Sequence, residues 1–137
     1  MDKIEKFITR TKADIRHGGE LAQYNFKLDF IELPFPEFFN STGEYYSVAF
    51  HELIHWTSHE SRLDWMSRVD PSKNYMAFRF HRAYGEVVAD IGEGLLCIHF
   101  GLNPDTSPYR SKHLFDNFVM AKDAFVLPEF YWVSPNY

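Results

Sequence analysis

Apolar positions fall at strand spacing early in the chain and at helical spacing on either side of that region. Ile4, Phe7 and Ile8 predict a short amphipathic helix over residues 2–12. Ala13–His17, Leu21–Asn25 and Phe30–Leu33 read as short strands. Gly18-Gly19 is the expected hairpin turn between the first two, and Pro34 and Pro36 close the last. The product expected is a small antiparallel meander. Ser41 followed by Glu44 is a capping-box signature, so a helix is predicted from about Thr42, with Tyr46, Phe50 and Leu53 facing the core. The pattern lapses from Glu60 to Tyr75, where Asp70-Pro71-Ser-Lys-Asn74 marks a turn in a loop long enough to cover a cleft. Phe80, Ala83, Val87, Ile91, Leu95 and Ile98 restore helical spacing over 77–100, with Gly101 and Pro104 as the stop. Lys112–Phe125 reads as a last helix and Val126–Tyr137 as an extended aromatic tail. A run of strands followed by helices is an α+β pattern.

Composition narrows this further. A chain of 137 residues, 45% apolar, buries a core without staples, and one domain over 1–137 is expected. No apolar run approaches the roughly 18 residues of a membrane span, and the charged N-terminus has no signal-peptide core. The single cysteine, Cys97, forms no intrachain disulfide, which fits a reducing, cytoplasmic setting. It reads as a small buried apolar residue. A net charge of −5 without a basic run argues against nucleic-acid binding by this chain alone.

The chemistry concentrates in His51-Glu52-Leu53-Ile54-His55. On a helix, positions i and i+4 share a face, so His51 and His55 can offer two imidazoles to one metal ion, with Glu52 beside them as a base for water. A shuffled chain of this composition gives H-E-x-x-H about once in 40, so the motif needs support. The predicted capped helix beneath it is one support; a third ligand is the other. A Gly and a His three and six residues after His55 would be the metzincin pattern, but those positions are Ser58 and Ser61. His59 continues the i+4 spacing but lies about 12 Å along the axis from His51, too far to share an ion, and is expected to meet the carbonyls that end the helix. Glu86 and Asp90 offer two carboxylates on one face of the later helix, Glu86 as ligand and Asp90 as its rival or as a hydrogen-bond partner of a ligand histidine. Gly85, Gly92 and Gly94 each cost about 1 kcal/mol in a helix interior, which a close helix-to-helix approach would justify.

The chain resembles the zincin-type metallopeptidase domain of ArdC-type antirestriction proteins, also found in large polyvalent phage and plasmid proteins. The resemblance is carried by Ala13-Asp-Ile-Arg-His-Gly-Gly19, Asp29-Phe-Ile-Glu-Leu-Pro34, Phe50-His-Glu-Leu-Ile-His-Trp-Thr-Ser-His59 and Gly85-Glu-Val-Val-Ala-Asp-Ile-Gly92. It implies a zincin fold with His51, His55 and Glu86 as zinc ligands, Glu52 as catalytic base and Asp90 behind a ligand histidine. Two departures stand out: Gly85-Glu86 where relatives usually carry two adjacent acids, and Asp90 where they carry Glu.

The expectation is therefore a zinc-dependent peptidase of the gluzincin type, acting on a peptide or protein substrate paired with a sheet edge, with a link to mobile-element biology. The rival is a non-catalytic zincin scaffold that captures a protein partner. Arg62 is expected to pair with a carboxylate and pin the long loop. Tyr24, Tyr45, Tyr46 and Tyr84 read as core aromatics with a wet edge.

Overall fold

A computed structural model describes residues 2–66, 72–103 and 108–122. Its elements in chain order are α1 (Asp2–Thr11), β1 (Ile15–His17), β2 (Gln23–Asn25), β3 (Phe30–Leu33), α2 (Thr42–Trp56), α3 (Tyr75–His99) and α4 (Pro108–Lys122). The architecture is α+β. The aromatic tail, the Asp70-Pro71 turn and Pro104 lie outside the described residues.

The sheet departs from the expected meander. Its order is β1-β3-β2, with β1 parallel to β3 and β2 antiparallel to it. Gly18 does not turn the chain onto β2; its N–H donates to Leu33 O at 3.0 Å, continuing the β1–β3 contact, at a φ of 117° that suits only glycine. Burial explains the order. Ile31 and Leu33 alternate inward on β3 and are fully buried, whereas β1 and β2 are largely open, so β3 takes the centre.

The core lies between β3, α1 and α2. Tyr46, Phe50 and Leu53 face it as the spacing predicts, together with Ile4 from α1 and Cys97 from α3. Phe50 stacks on Phe100 at 5.6 Å and meets Phe7 edge-on at 6.1 Å. α2 starts where its capping residues place it: Ser41 Oγ accepts from Glu44 N–H at 3.0 Å. Glu44 reaches back to the N–H of Asn40 rather than that of Ser41, one residue further than the usual box. α3 ends in a Schellman motif. Leu102 N–H reaches Cys97 O at 2.8 Å, Gly101 N–H reaches Ile98 O at 3.1 Å, and Gly101 takes the left-handed turn.

The apolar stripe expected along α3 is only half right. Ala83 and Val87 are buried, but Ile91, Leu95 and Ile98 are exposed, while Asp90, Glu93 and Cys97 turn inward. The buried face of this half-helix carries acids because it meets the histidine face of α2. Among the described residues no helix is long and apolar enough to cross a membrane.

Candidate metal centre

α2 and α3 pack side by side, and glycine sets how closely. A Cβ on Gly92 would stand 2.7 Å from Ile54 Cδ1 and Cγ1, and one on Gly85 would stand 3.0 Å from Met66 Sδ. Gly94 has nothing within 4 Å and the tight neighbour of Gly85, Met66, lies beyond α2, so close helix-to-helix approach accounts for Gly92 alone.

Across this contact the predicted residues converge. His51 and His55, one turn apart, bring their Nε2 atoms to 3.2 Å from one another. Glu86 on α3 closes the triangle, with Oε2 3.3 Å from His51 Nε2 and Oε1 3.0 Å from His55 Nε2. Ligands about 2.1 Å from a tetrahedral ion stand about 3.4 Å apart, so two imidazole nitrogens and one carboxylate at these separations fit a divalent cation. Burial by itself would raise the Glu86 carboxyl. Hydrogen bonds from both imidazoles outweigh that and hold it well below the ordinary carboxylate range.

The far edge of the His51 ring is equally furnished. Its Nδ1 lies 3.1 Å from Asp90 Oδ1 and 3.2 Å from Glu93 Oε2. The Nδ1 N–H donates to Glu93 Oε2, with Asp90 Oδ1 at ion-pair distance beside it, so Nδ1 keeps its proton and Nε2, which faces Glu86, is the nitrogen that can exchange its proton for a metal ion. Burial opposes charge on this ring, but the hydrogen bonds to Asp90 and Glu86 and the nearby charges of Glu52 and Glu86 lift its pKa to about 9. Glu93 in turn accepts from the Ser47 hydroxyl, one turn before His51. Asp90 Oδ2 meets His113 Nδ1 of α4 at 3.1 Å, and His113 Nε2 stands 3.9 Å from Glu86 Oε2. Asn117 Nδ2 donates to the His113 carbonyl at 2.9 Å.

Asp90 thus lies behind His51, where its Oδ1 and Glu93 Oε2 share the ring's Nδ1 side. Those three groups also converge closely enough to hold an ion, but there Nδ1 would have to give up the proton that orients Nε2. Glu93 and His113 are the residues that sequence reasoning missed. Glu93 was signalled by its place one turn after Asp90 on the same face, whereas nothing local marked His113. His59 stands apart from the cluster. Its Nδ1 accepts from Ser61 N–H at 3.1 Å instead of meeting the helix-end carbonyls.

Glu52 is buried, at 8% exposed, and burial raises its pKa while the two neighbouring histidines lower it. The nearby backbone N–H of Tyr24 on β2 lowers it slightly as well. Glu52 shares a cavity of about 510 Å³ with His51, His55 and Glu86, lined also by Tyr24, Phe26, Met66 and Phe78. Arg62 braces this wall as expected. It pairs with Asp29, donates to Trp56 O at 2.7 Å and lies over the Trp56 ring at 3.9 Å.

A model of the zincin-like metallopeptidase family matches residues 2–125. The chain belongs to that family. Among solved structures it is similar to the antirestriction protein ArdC of plasmid R388. The Mn(II)-bound structure superposes with a TM-score of 0.64 at 33% identity, covering 94% of this chain and 51% of that one. The metal-free structure gives a TM-score of 0.61, also at 33% identity, covering 93% of this chain and 49% of that one. A DNA primase, TraC, of Escherichia coli is 43% identical over 65 residues, which is 47% of this chain and 6% of that protein. The chain therefore spans about half of the structures it matches, and a small part of the primase. The ArdC relative has a structure with Mn(II) bound, and His51, His55 and Glu86 here stand close enough together to hold an ion.

Proposed function

We propose that this family member is a metal-dependent peptide hydrolase in which His51, His55 and Glu86 hold zinc and Glu52 is the base. The observation that carries the reading is the placement of Glu52. It sits beside a three-donor triangle, in the same cavity, which the sheet-edge strand β2 helps to line through Gln23 and Tyr24. A cation held there supplies Lewis acidity toward water and toward a scissile carbonyl.

The rest is done by the chain's own groups. Among the described residues β2 has β3 on one side only, so its free edge can pair with an extended peptide and lay it across the cavity. Glu52, with its proton affinity raised by burial, takes the proton of the attacking water and passes it to the leaving amine. His51 is held from behind by Asp90 and Glu93, so its ring does not swing when charge develops in front of it. A purely structural site has no use for a carboxylate at Glu52.

The test compares the parent protein with Glu52→Gln, both loaded with zinc or manganese, on a mixed peptide digest. The parent is expected to yield new N-termini and the variant at least about 100-fold fewer, in line with loss of a general base. Equal cleavage by both removes Glu52 from the mechanism. No cleavage by the parent favours the scaffold that only binds a protein partner.

A further inference from the structure

One positive charge on the cavity wall is unused by everything described above. Arg82 lies one turn before Glu86 on α3, on the same face and about 6 Å along the axis, and it lines the cavity with Glu86. It is exposed, and among the described residues it has no hydrogen-bond or ion-pair partner. Arg16 and Arg62, in contrast, are committed to Asp14 and Asp29. Arg82 is also the only lysine or arginine among the described residues lining the cavity.

The charge balance of the cavity then matters. Its fixed anions are Glu52 and Glu86, and a divalent ion at the triangle cancels both. What remains is the guanidinium, charged at every working pH and shaped to take a carboxylate through two parallel N–H groups. Phe78, one further turn back on the same face, gives it an apolar flank. A neutral or basic substrate leaves this donor fork facing water, whereas an acidic one fills it.

We propose that Arg82 is a specificity-determining residue that binds a carboxylate of the substrate peptide near the scissile bond. The carboxylate is either an Asp or Glu side chain or the peptide's own C-terminus. The proposal rests on the peptide-hydrolase reading, so its test includes binding as well as turnover.

Short peptides of matched sequence carry Glu, Gln or Lys at each position in turn, each with a free or an amidated C-terminus. Their binding to metal-loaded Glu52→Gln protein is followed by fluorescence anisotropy, and their cleavage by the parent is followed by mass spectrometry. One form of carboxylate is expected to tighten binding about tenfold, the size of a single charge-assisted fork contact. Adding Arg82→Glu should reverse the order so that Lys peptides bind best. Dependence on the internal Glu identifies a side-chain subsite, and dependence on the free terminus identifies a C-terminal one. Equal binding of acidic, neutral and amidated peptides, or a preference that survives Arg82→Glu, overturns the proposal even if the parent cleaves peptides. Arg82-dependent binding without any cleavage overturns the hydrolase reading and leaves the subsite standing. Absence of both binding and cleavage overturns both.

Discussion

His51 meets two demands with one ring. To take an ion Nε2 must exchange the proton it gives Glu86 for a lone pair, while Nδ1 keeps a proton for Glu93 beside Asp90. The second demand is met by two residues of α3, one of which carries a contact from α4. Through Asp90, His113 of α4 acts on a ring it never touches. Replacing His113 with Ala is expected to weaken metal binding by about tenfold, as loss of such an outer partner commonly does. Titration against a chelating dye reads this directly; an affinity within twofold of the parent would assign His113 to packing alone. The i+4 pair was legible in the sequence because helix geometry places it, and Glu86, with Asp90 as its rival, through the resemblance to a known family. Glu93 and His113 were not. Glu93 is an acid on a helix whose default environment is water, and His113 is joined to the site only through the packing of α4 on α3.

At the scale of the elements, α3 shows where periodicity misleads. Reading apolar residues as the inward face put Ile91, Leu95 and Ile98 in the core, yet all three are exposed and the acids beside them are buried. The pattern assumes that a carboxylate always prefers water; here α2 offers Asp90 and Glu93 an imidazole and Glu93 a hydroxyl as well, and that reverses the preference. The sheet order failed for a related reason. Local turn chemistry at Gly18-Gly19 suggested a hairpin, but burial of Ile31 and Leu33 made β3 the shared partner of both strands. The glycines of α3 separate the two kinds of cause. Gly94→Ala should stabilise the protein by about 0.5–1 kcal/mol, because nothing obstructs the new methyl and alanine favours the helix. Gly92→Ala should destabilise it by about 1–3 kcal/mol, because the methyl drives into Ile54. Urea melts of the two variants give opposite signs if the α2–α3 distance is set at Gly92.

For the molecule as a whole, the centre joins three helices. His51 and His55 come from α2, Glu86 and Asp90 from α3, and His113 from α4. An ion that binds only the folded arrangement stabilises it by mass action, about 2.7 kcal/mol at a concentration 100-fold above Kd. For a chain of this length that raises Tm by on the order of 10 °C. Differential scanning with zinc or manganese, and then with a chelator, measures it. A Tm indifferent to the metal would mean that the triangle holds none. The α+β class and the capped metal helix were visible from the residues alone, because capping, spacing and turn chemistry are local. How the strands order and which face of α3 turns inward depend on partners distant in sequence.

The brace between Arg62, Asp29 and Trp56, with the Tyr24 hydroxyl donating to Asp29 at 2.8 Å, ties the edge strand to the helix that carries Glu52. A ruler and a blade fixed to one handle keep their offset however the handle moves. Under the proposed hydrolysis of a peptide lying along β2, that offset would make cleavage positions discrete. A slip of one residue points the scissile carbonyl the wrong way and swaps its side-chain faces, while a slip of two restores both, about 6.6 Å further along. Secondary cut sites in one substrate would then fall an even number of residues from the main one, a phase set by the strand and not by the side chains being cut.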